Sequence, residues 1–323
     1  MKLLFAFLFV WAGTCAAQPL PLGTISNPTN VACALGTYPR AVCTNVTVSC
    51  PNVADIQATY GYSTLKGTPK GIVVFVNGSQ DTNPGGITYM EGYLAHDFAG
   101  YQVWFQTGWE ATGETPNLMN AACRLATLLS YLQQESPTLP LGVQAGSGGA
   151  GAVAYAMAWY GFVPQVVELT SGPVFSDIEL GCEFPRPLPL MIVPTDGAAW
   201  TDGLTYDQRD TQQNMQAWTG DPTCAGKVKT SGSSDAAWKA MSIVSAGAQN
   251  YFPATAISGW VCNNAENNSA AQAATWFAQL ASPWSLTAMT DCAGTEDVDK
   301  ATTPQGITGQ VAITADMELN LHF

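Results

Sequence analysis

The sequence predicts an α/β fold, a doubly wound and mainly parallel sheet with helices on both faces. Short apolar runs typical of strands alternate with longer segments of helical periodicity between residues 56 and 319. One run, 71–76, is β-branched or aromatic at nearly every position, as expected for a central parallel strand buried on both faces. A chain of 323 residues suits one large domain of this class.

Two segments lack the alternation of strands and helices, one before it and one within it. Residues 18–51 are rich in Pro, Thr, Asn and Cys, and we expect an irregular N-terminal segment tied by disulfides. Residues 171–250 are rich in Pro, Gly, Asp and Trp, and are expected to form an inserted cap or lid. The other predicted strands are 56–62, 101–106, 165–170, 254–258 and 285–289, and the predicted helices are 87–97, 117–134, 269–280 and 305–319.

The first 17 residues have the features of a secretory signal peptide. Lys2 precedes an apolar run too short to span a membrane, and small residues end the segment at Ala17. The sequence therefore predicts a secreted, extracellular protein whose mature chain is 18–323. The sequons at Asn45, Asn77 and Asn267 are sites for glycosylation if the host is eukaryotic.

Eight cysteines remain after removal of the signal peptide, an even number that predicts disulfide bonds in a secreted chain. Proximity in sequence suggests three local groupings, with connectivity left open. The groupings are Cys33/Cys43/Cys50, Cys182–Cys224 and Cys262–Cys292.

The composition excludes several classes of partner. A net charge of −13 leaves no basic surface for nucleic acid or anionic membranes. The cysteine spacing matches no zinc pattern and the chain has only two histidines, so we expect neither a metal nor another cofactor.

The most informative motif lies where a strand beginning at Leu141 meets an alanine-rich helix. The turn reads Ala-Gly-Ser147-Gly-Gly, with small residues on both sides of a single hydroxyl. Such a turn is too tight for larger side chains and is typical of the nucleophile elbow. The other interpretation is a glycine-rich connection in which Ser147 only caps the helix.

Taken together, these features resemble the α/β-hydrolase superfamily, in particular its secreted esterase-like members. The resemblance covers nearly all of 18–323. It is carried by the Asn77-Gly78 loop after a buried strand, a helix containing Cys123-Arg124, the Ser147 elbow, and Thr-Ser-Gly-Pro at 170–173. It implies an α/β-hydrolase fold and a Ser147 acyl-enzyme formed from a small-molecule or polymeric carboxylic ester.

The resemblance also implies an oxyanion hole made of two backbone donors. One donor is the N–H of Gly148, the residue after the nucleophile. The other belongs to the loop after the third strand of the family fold, at Gly78 or Ser79.

The catalytic acid of this superfamily stands in a loop after a later strand. Glu266 follows the strand 254–258 and is the first candidate, with Asp196 and Asp202 at the start of the predicted cap as alternatives. The expected histidine base is missing from its loop, 290–303, which contains Glu296 instead.

The chain's two histidines are both predicted to lie away from Ser147. His96 ends a helix that should carry it to the opposite edge of the sheet, and His322 follows the last helix, roughly 20 Å from the loop that needs a base. His322 reaches the site only if the tail folds back. Glu296 acts as a base only if burial or neighbouring carboxylates raise its pKa.

These residues lead to two functional hypotheses. The first is a secreted serine esterase with an atypical base, Glu296 or His322. The second is a non-catalytic relative that keeps the fold and binds a small ligand or an extracellular polymer.

Overall fold

The structure is a computed structural model of the chain. It describes residues 18–65, 67–78, 82–110, 117–178, 233–262, 269–292, 298 and 300–321. Within these residues, nine strands form one sheet in the order β1-β2-β3-β5-β4-β6-β7-β8-β9. Their bounds are β1 Thr24–Val31, β2 Val42–Ser49, β3 Ile56–Ser63, β4 Ile72–Val76, β5 Ala99–Phe105, β6 Leu141–Gly146, β7 Val166–Thr170, β8 Ala256–Cys262 and β9 Trp284–Met289.

The described helices connect and cover these strands. They are α1 Ile87–Ala95, α2 Leu118–Glu135, α3 Ser147–Tyr160, α4 Ser233–Met241, α5 Ser269–Phe277 and α6 Gly309–Asn320. From β5 through β4 to β9 every neighbouring pair is parallel, whereas β1, β2, β3 and β5 pair antiparallel. The predicted mainly parallel sheet is confirmed.

The two faces of the sheet are covered by different helices. Val74 and Val76 of β4 belong to the core shared with α2, α3 and α5. Val73 and Phe75 point the other way, into a second core shared with α1 and α6. Covering on both faces is the reason that β4 is apolar at every position, as the sequence indicated.

The prediction that 18–51 is irregular is wrong, because the segment supplies two strands. In β2, Val46 and Val48 are fully buried, while their neighbours are polar. β1 is exposed at nearly every position and is ordered mainly by its backbone pairing with β2. A strand exposed on both faces shows no apolar alternation, so its sequence resembles a loop.

The disulfides agree only in part with the local groupings. Cys33 pairs with Cys43, and Cys262 pairs with Cys292 as proposed. Cys50 pairs with Cys123, 73 residues away, and so fastens the end of β2 to α2. The grouping of Cys50 with its near neighbours was therefore wrong, because contact in the fold decides pairing. The proposed Cys182–Cys224 pair lies outside the described residues.

The residue after Cys123 in α2 is a buried cation. The Arg124 side chain donates to the carbonyl oxygens of Trp109 (Nη1, 2.9 Å) and Ala54 (Nη2, 2.6 Å). Burial lowers the pKa of Arg124, and the charge of Glu110 opposes this shift. The Cys123-Arg124 motif therefore holds α2 to the segment before β3 and to the segment after β5.

A row of polar side chains crosses the sheet beneath α1 and α6. Gln144, Glu168 and Ser258 are register partners in β6, β7 and β8. The Trp260 Nε1–H donates to Glu168 Oε2 at 2.5 Å, and Ser258 Oγ donates to Asp316 Oδ2 of α6 at 2.5 Å. Burial, followed by the nearby charge of Asp316, raises the pKa of Glu168 well above 4.5. The protonated Glu168 carboxyl is thus the form that this core favours.

Replacing Glu168 with glutamine is expected to remove a pH dependence from stability. The unfolded chain releases the Glu168 proton near pH 4.5, whereas the folded chain keeps it to higher pH. The contribution of the bound Glu168 proton to the free energy of unfolding is therefore complete below pH 4.5. It is lost as the pH rises towards the folded-state pKa of Glu168. In that window the wild type should lose up to about 1.4 kcal/mol per pH unit relative to Glu168→Gln.

Urea unfolding at a series of pH values from 4 to 9 measures this difference. Glu91→Gln, at an exposed position of α1, serves as the control and should follow the wild-type profile. Parallel wild-type and Glu168→Gln profiles across the series would show that Glu168 is not buried as a neutral acid.

Candidate active site

Ser147 stands at the apex of a sharp turn between β6 and α3. Its φ of 45° is in the left-handed region, which non-glycine residues rarely adopt. The preceding residue, Gly146, is extended, with φ −112° and ψ 143°. The chain therefore changes direction within one residue, which is the conformation predicted for a nucleophile elbow. Strain of this kind is found mostly where function requires it.

Neighbouring glycines bring the loop after β4 against this turn. A Cβ on Gly78 would lie 3.4 Å from the Ser147 Cβ, and a Cβ on Gly149 would lie 2.1 Å from the Asn77 carbonyl oxygen. The structure thus brings together three residues predicted for the site: Ser147, Gly78 and the buried Gly148. Ser79, the alternative oxyanion residue, lies outside the described residues.

A cavity of about 500 Å³ opens beside Ser147. Its walls come from the carboxyl ends of β4, β6 and β7, where parallel α/β sheets commonly bind ligands. Residues on its wall include Gly36, Gly78, Gly85, Ser147, Ser171 and Val298. The serine therefore faces a space large enough for a small substrate.

The segment 170–173 was one of the features that carry the resemblance to the superfamily. Its first two residues form part of this wall. Thr170 Oγ1 donates to the Ala145 carbonyl at 3.1 Å, and the Ser171 N–H donates to the Trp260 carbonyl at 2.7 Å. Ser171 also has a positive φ of 54°. The sequence assigned no role to Thr170 or Ser171, although two adjacent hydroxyls at the end of a buried strand were a usable signal.

The acid candidates Glu266, Asp196 and Asp202 lie outside the described residues. The strand before Glu266 is longer than predicted, because β8 continues through Trp260 to Cys262. These added residues are buried and paired with β9 as far as Cys262.

His96 lies at the opposite edge of the sheet from Ser147, as predicted. Its Nδ1 lies 2.6 Å from Glu318 Oε2, and Lys70 Nζ lies 2.7 Å from Glu318 Oε1. Lys70 precedes β4, whereas Ser147 follows the parallel strand β6. The hydrogen bond from Lys70, and then the charge of His96, hold the pKa of Glu318 below its usual value. His96 thus lies at the surface in contact with Glu318, beside Lys70.

The segment after β9, where the resemblance places the base, contributes one described residue to the cavity wall. Val298 is buried, lines the cavity beside Ser147, and is crowded by α6, since a Cβ on Gly309 would lie 1.7 Å from the Val298 carbonyl oxygen. Asp291, in contrast, is exposed and accepts a hydrogen bond from Thr302 Oγ1 at 3.1 Å. The base candidates Glu296 and His322 lie outside the described residues.

Neither a metal site nor a membrane-spanning helix is found among the described residues. No group of three or more His, Cys, Asp or Glu side chains is placed to hold a metal ion in this part of the chain. None of the helices described here combines the length and the hydropathy needed to cross a bilayer.

No protein-family model matches the sequence, and no curated protein sequence matches it. Solved structures do match the fold. Carboxyl esterase 2 from the mycorrhizal fungus Tuber melanosporum has a TM-score of 0.51 at 11% identity, over 89% of this chain and 90% of that one. The strand order, the Ser147 turn and this match show an α/β-hydrolase fold.

Two bacterial esterases give lower scores. Acetyl xylan esterase 1 from a Thermoanaerobacterium species has a TM-score of 0.47 at 12% identity, over 81% of each chain. A highly thermostable carboxyl esterase from Bacillus coagulans has a TM-score of 0.47 at 13% identity, over 87% of this chain and 99% of that one.

Proposed function

We propose that the protein is a secreted serine hydrolase that cleaves carboxylic esters through a Ser147 acyl-enzyme. The observation that carries the proposal is the φ of 45° at Ser147, at the carboxyl end of a central parallel strand and inside a cavity. The name of the matching fungal structure, carboxyl esterase 2, supports the same reaction class.

In the proposed reaction Ser147 Oγ attacks the ester carbonyl and a base takes its proton. The N–H groups of Gly148 and of the loop at Gly78–Ser79 bind the oxyanion of the tetrahedral intermediate. Collapse of the intermediate expels the alcohol and leaves an acyl-enzyme, which water then hydrolyses. Glu266 is assigned to orient the base, and Glu296 or His322 to act as the base.

Secretion, processing and the class of substrate belong to the same proposal. The three described disulfides support an oxidising, extracellular location for the mature chain 18–323. Small-molecule or polymeric esters are the proposed substrates. The predicted cap, 171–250, is assigned to substrate selection, since its described start, at Ser171, lines the cavity.

The second candidate is a non-catalytic α/β-hydrolase relative that binds a small ligand or an extracellular polymer. One observation favours it. The chain has only two histidines, and one of them, His96, is held by Glu318 at the far edge of the sheet. A serine hydroxyl needs an adjacent base to attack a carbonyl at neutral pH, and histidine is the usual one in this reaction class.

Labelling by a fluorophosphonate probe separates the two candidates. The folded wild type is expected to react, and Ser147→Ala and heat-denatured wild type are expected not to react. Mass spectrometry then locates the adduct on Ser147. A folded wild type that takes up no more probe than Ser147→Ala would leave only the binding function.

A further inference from the structure

We infer that Gln102, a residue within the sheet, positions two loops that form walls of the Ser147 cavity. Through these loops it also positions the loop at Gly78, to which an oxyanion donor is assigned. The inference rests on the proposed function for its catalytic consequence. Its structural basis is a set of hydrogen bonds made by the Gln102 side chain. This residue belongs to neither the elbow motif nor the predicted triad.

Gln102 is fully buried in β5, and its amide bonds to two separate loops. Oε1 accepts from the Tyr38 N–H at 2.8 Å. Nε2 donates to the Gly85 carbonyl at 2.5 Å and to the Gly36 carbonyl at 3.2 Å. One side chain therefore uses its acceptor and both its donors on backbone groups that are distant in sequence.

Both loops held by Gln102 form the wall of the cavity. Gly36 and Gly85 line it, and a Cβ on Gly36 would lie 2.9 Å from the Pro84 carbonyl oxygen. The two loops are therefore packed directly on each other above Gln102. Without Gln102 their carbonyl oxygens would lose a buried donor, which is costly in a core.

A short series of contacts connects Gly85 to Ser147. The Asn77 side chain donates from Nδ2 to the Asn83 carbonyl at 3.1 Å, and a Cβ on Gly85 would lie 2.6 Å from Asn77 Cγ. Asn77 precedes Gly78, which lies against Ser147. Movement of Gly85 away from the sheet would thus release the Asn77 side chain beside the proposed oxyanion donors.

Gln144 provides a matched control within the same sheet. Gln102 and Gln144 flank Phe75 as register partners on either side, and both are fully buried. The Gln144 Oε1 accepts from the Tyr93 hydroxyl of α1, away from the cavity loops. Both substitutions therefore remove a fully buried amide, whereas loss of the wall contacts is specific to Gln102.

The test compares Gln102→Leu, Gln102→Glu and Gln144→Leu with wild type in two measurements. Hydrogen exchange is followed in peptides covering 34–40 and 82–88. In Gln102→Leu both peptides should exchange at least tenfold faster than in wild type, and in Gln144→Leu neither should change. The rate of fluorophosphonate labelling should fall at least tenfold in Gln102→Leu and less than threefold in Gln144→Leu.

Gln102→Glu gives a readout that a general loss of stability would not produce. The introduced carboxyl keeps the acceptor for the Tyr38 N–H, and when protonated it regains one donor for Gly36 or Gly85. Burial raises the pKa of such a carboxyl. Labelling relative to wild type should therefore be several-fold higher at pH 5 than at pH 8, and the 34–40 peptide should stay more protected than in Gln102→Leu.

The outcomes separate this inference from the proposed function. A wild type that is not labelled contradicts the hydrolase function, and loop exchange then decides the role of Gln102 alone. Wild-type exchange in both loops of a folded Gln102→Leu variant overturns the inference. Equal effects of Gln102→Leu and Gln144→Leu on exchange and labelling also overturn it.

Discussion

Replacing Gly149 with alanine is expected to lower the free energy of unfolding by about 3 kcal/mol and to remove most of the reactivity of Ser147. The new Cβ would lie 2.1 Å from the Asn77 carbonyl oxygen and 2.9 Å from that of Val76. Both obstacles are backbone atoms at the end of a central strand, so no side chain can rotate away. Relief requires the loop at Gly78 to move from Ser147, which would misplace the proposed oxyanion donors.

Urea unfolding and fluorophosphonate labelling of Gly149→Ala measure the two effects. Gly92→Ala makes the same change inside α1, where the nearest neighbour of the new Cβ is Thr314 at 3.4 Å. That control should be neutral or more stable by about 0.5–1 kcal/mol, since alanine favours a helix interior. A Gly149→Ala protein with wild-type stability and labelling would show that the loop does not approach α3 so closely.

Removal of the Cys50–Cys123 disulfide is expected to be the other large loss of stability. The bond closes a loop with a sequence separation of 73, and the loop-closure relation gives about 4.4 kcal/mol for a loop of this length. It also joins β2, which lies near the edge of the sheet, to the fully buried Cys123 of α2. The double variant Cys50→Ala/Cys123→Ala should therefore unfold at a much lower urea concentration.

The Cys33–Cys43 bond provides the comparison, because its sequence separation is only 10. The same relation gives about 2.7 kcal/mol for Cys33→Ala/Cys43→Ala, so this variant should lose clearly less stability. Urea midpoints and slopes for both double variants decide the order. A larger loss of stability from Cys33→Ala/Cys43→Ala would contradict this order. It would mean that ordering of the segment near Gly36 contributes more to stability than loop length does.

Much of the fold could be predicted because its central strands and helices have strong local patterns. The run 71–76 is apolar because both faces of β4 are covered, and the helical pattern at 117–134 corresponds to α2, which is buried at every position from Ala121 to Leu129. Small residues around Ser147 predicted a tight turn, and the positive φ there agrees with it. In each case a local steric or burial requirement restricts the allowed residue types.

The errors arise where distant parts of the chain decide the local structure. β1 is a strand because β2 pairs with it, although its own side chains are exposed. Cys50 pairs with Cys123 because α2 packs beneath β2, a contact that sequence distance conceals. Neither the short spacing of cysteines nor local composition contains that information.

The candidate site divides in the same way. The sequence predicted Ser147, Gly148 and Gly78 as site residues because an elbow and a glycine loop have local signatures, and the structure places the three close together. Gly36, from the segment expected to be irregular, reaches the cavity only because Gln102 and Pro84 hold its loop there. Thr170 joins the wall because parallel strands end together at one edge of the sheet.

The sequence by itself determined the α/β class, the Ser147 turn and the lack of a histidine between residues 290 and 303, since each is a property of adjacent residues. Only the tertiary structure decided that His96 is tied to Glu318 far from the serine, that Val298 reaches the cavity, and that Gln102 supports its walls. These are contacts between residues far apart in the chain. They exist only after strand pairing and helix packing have brought the residues together.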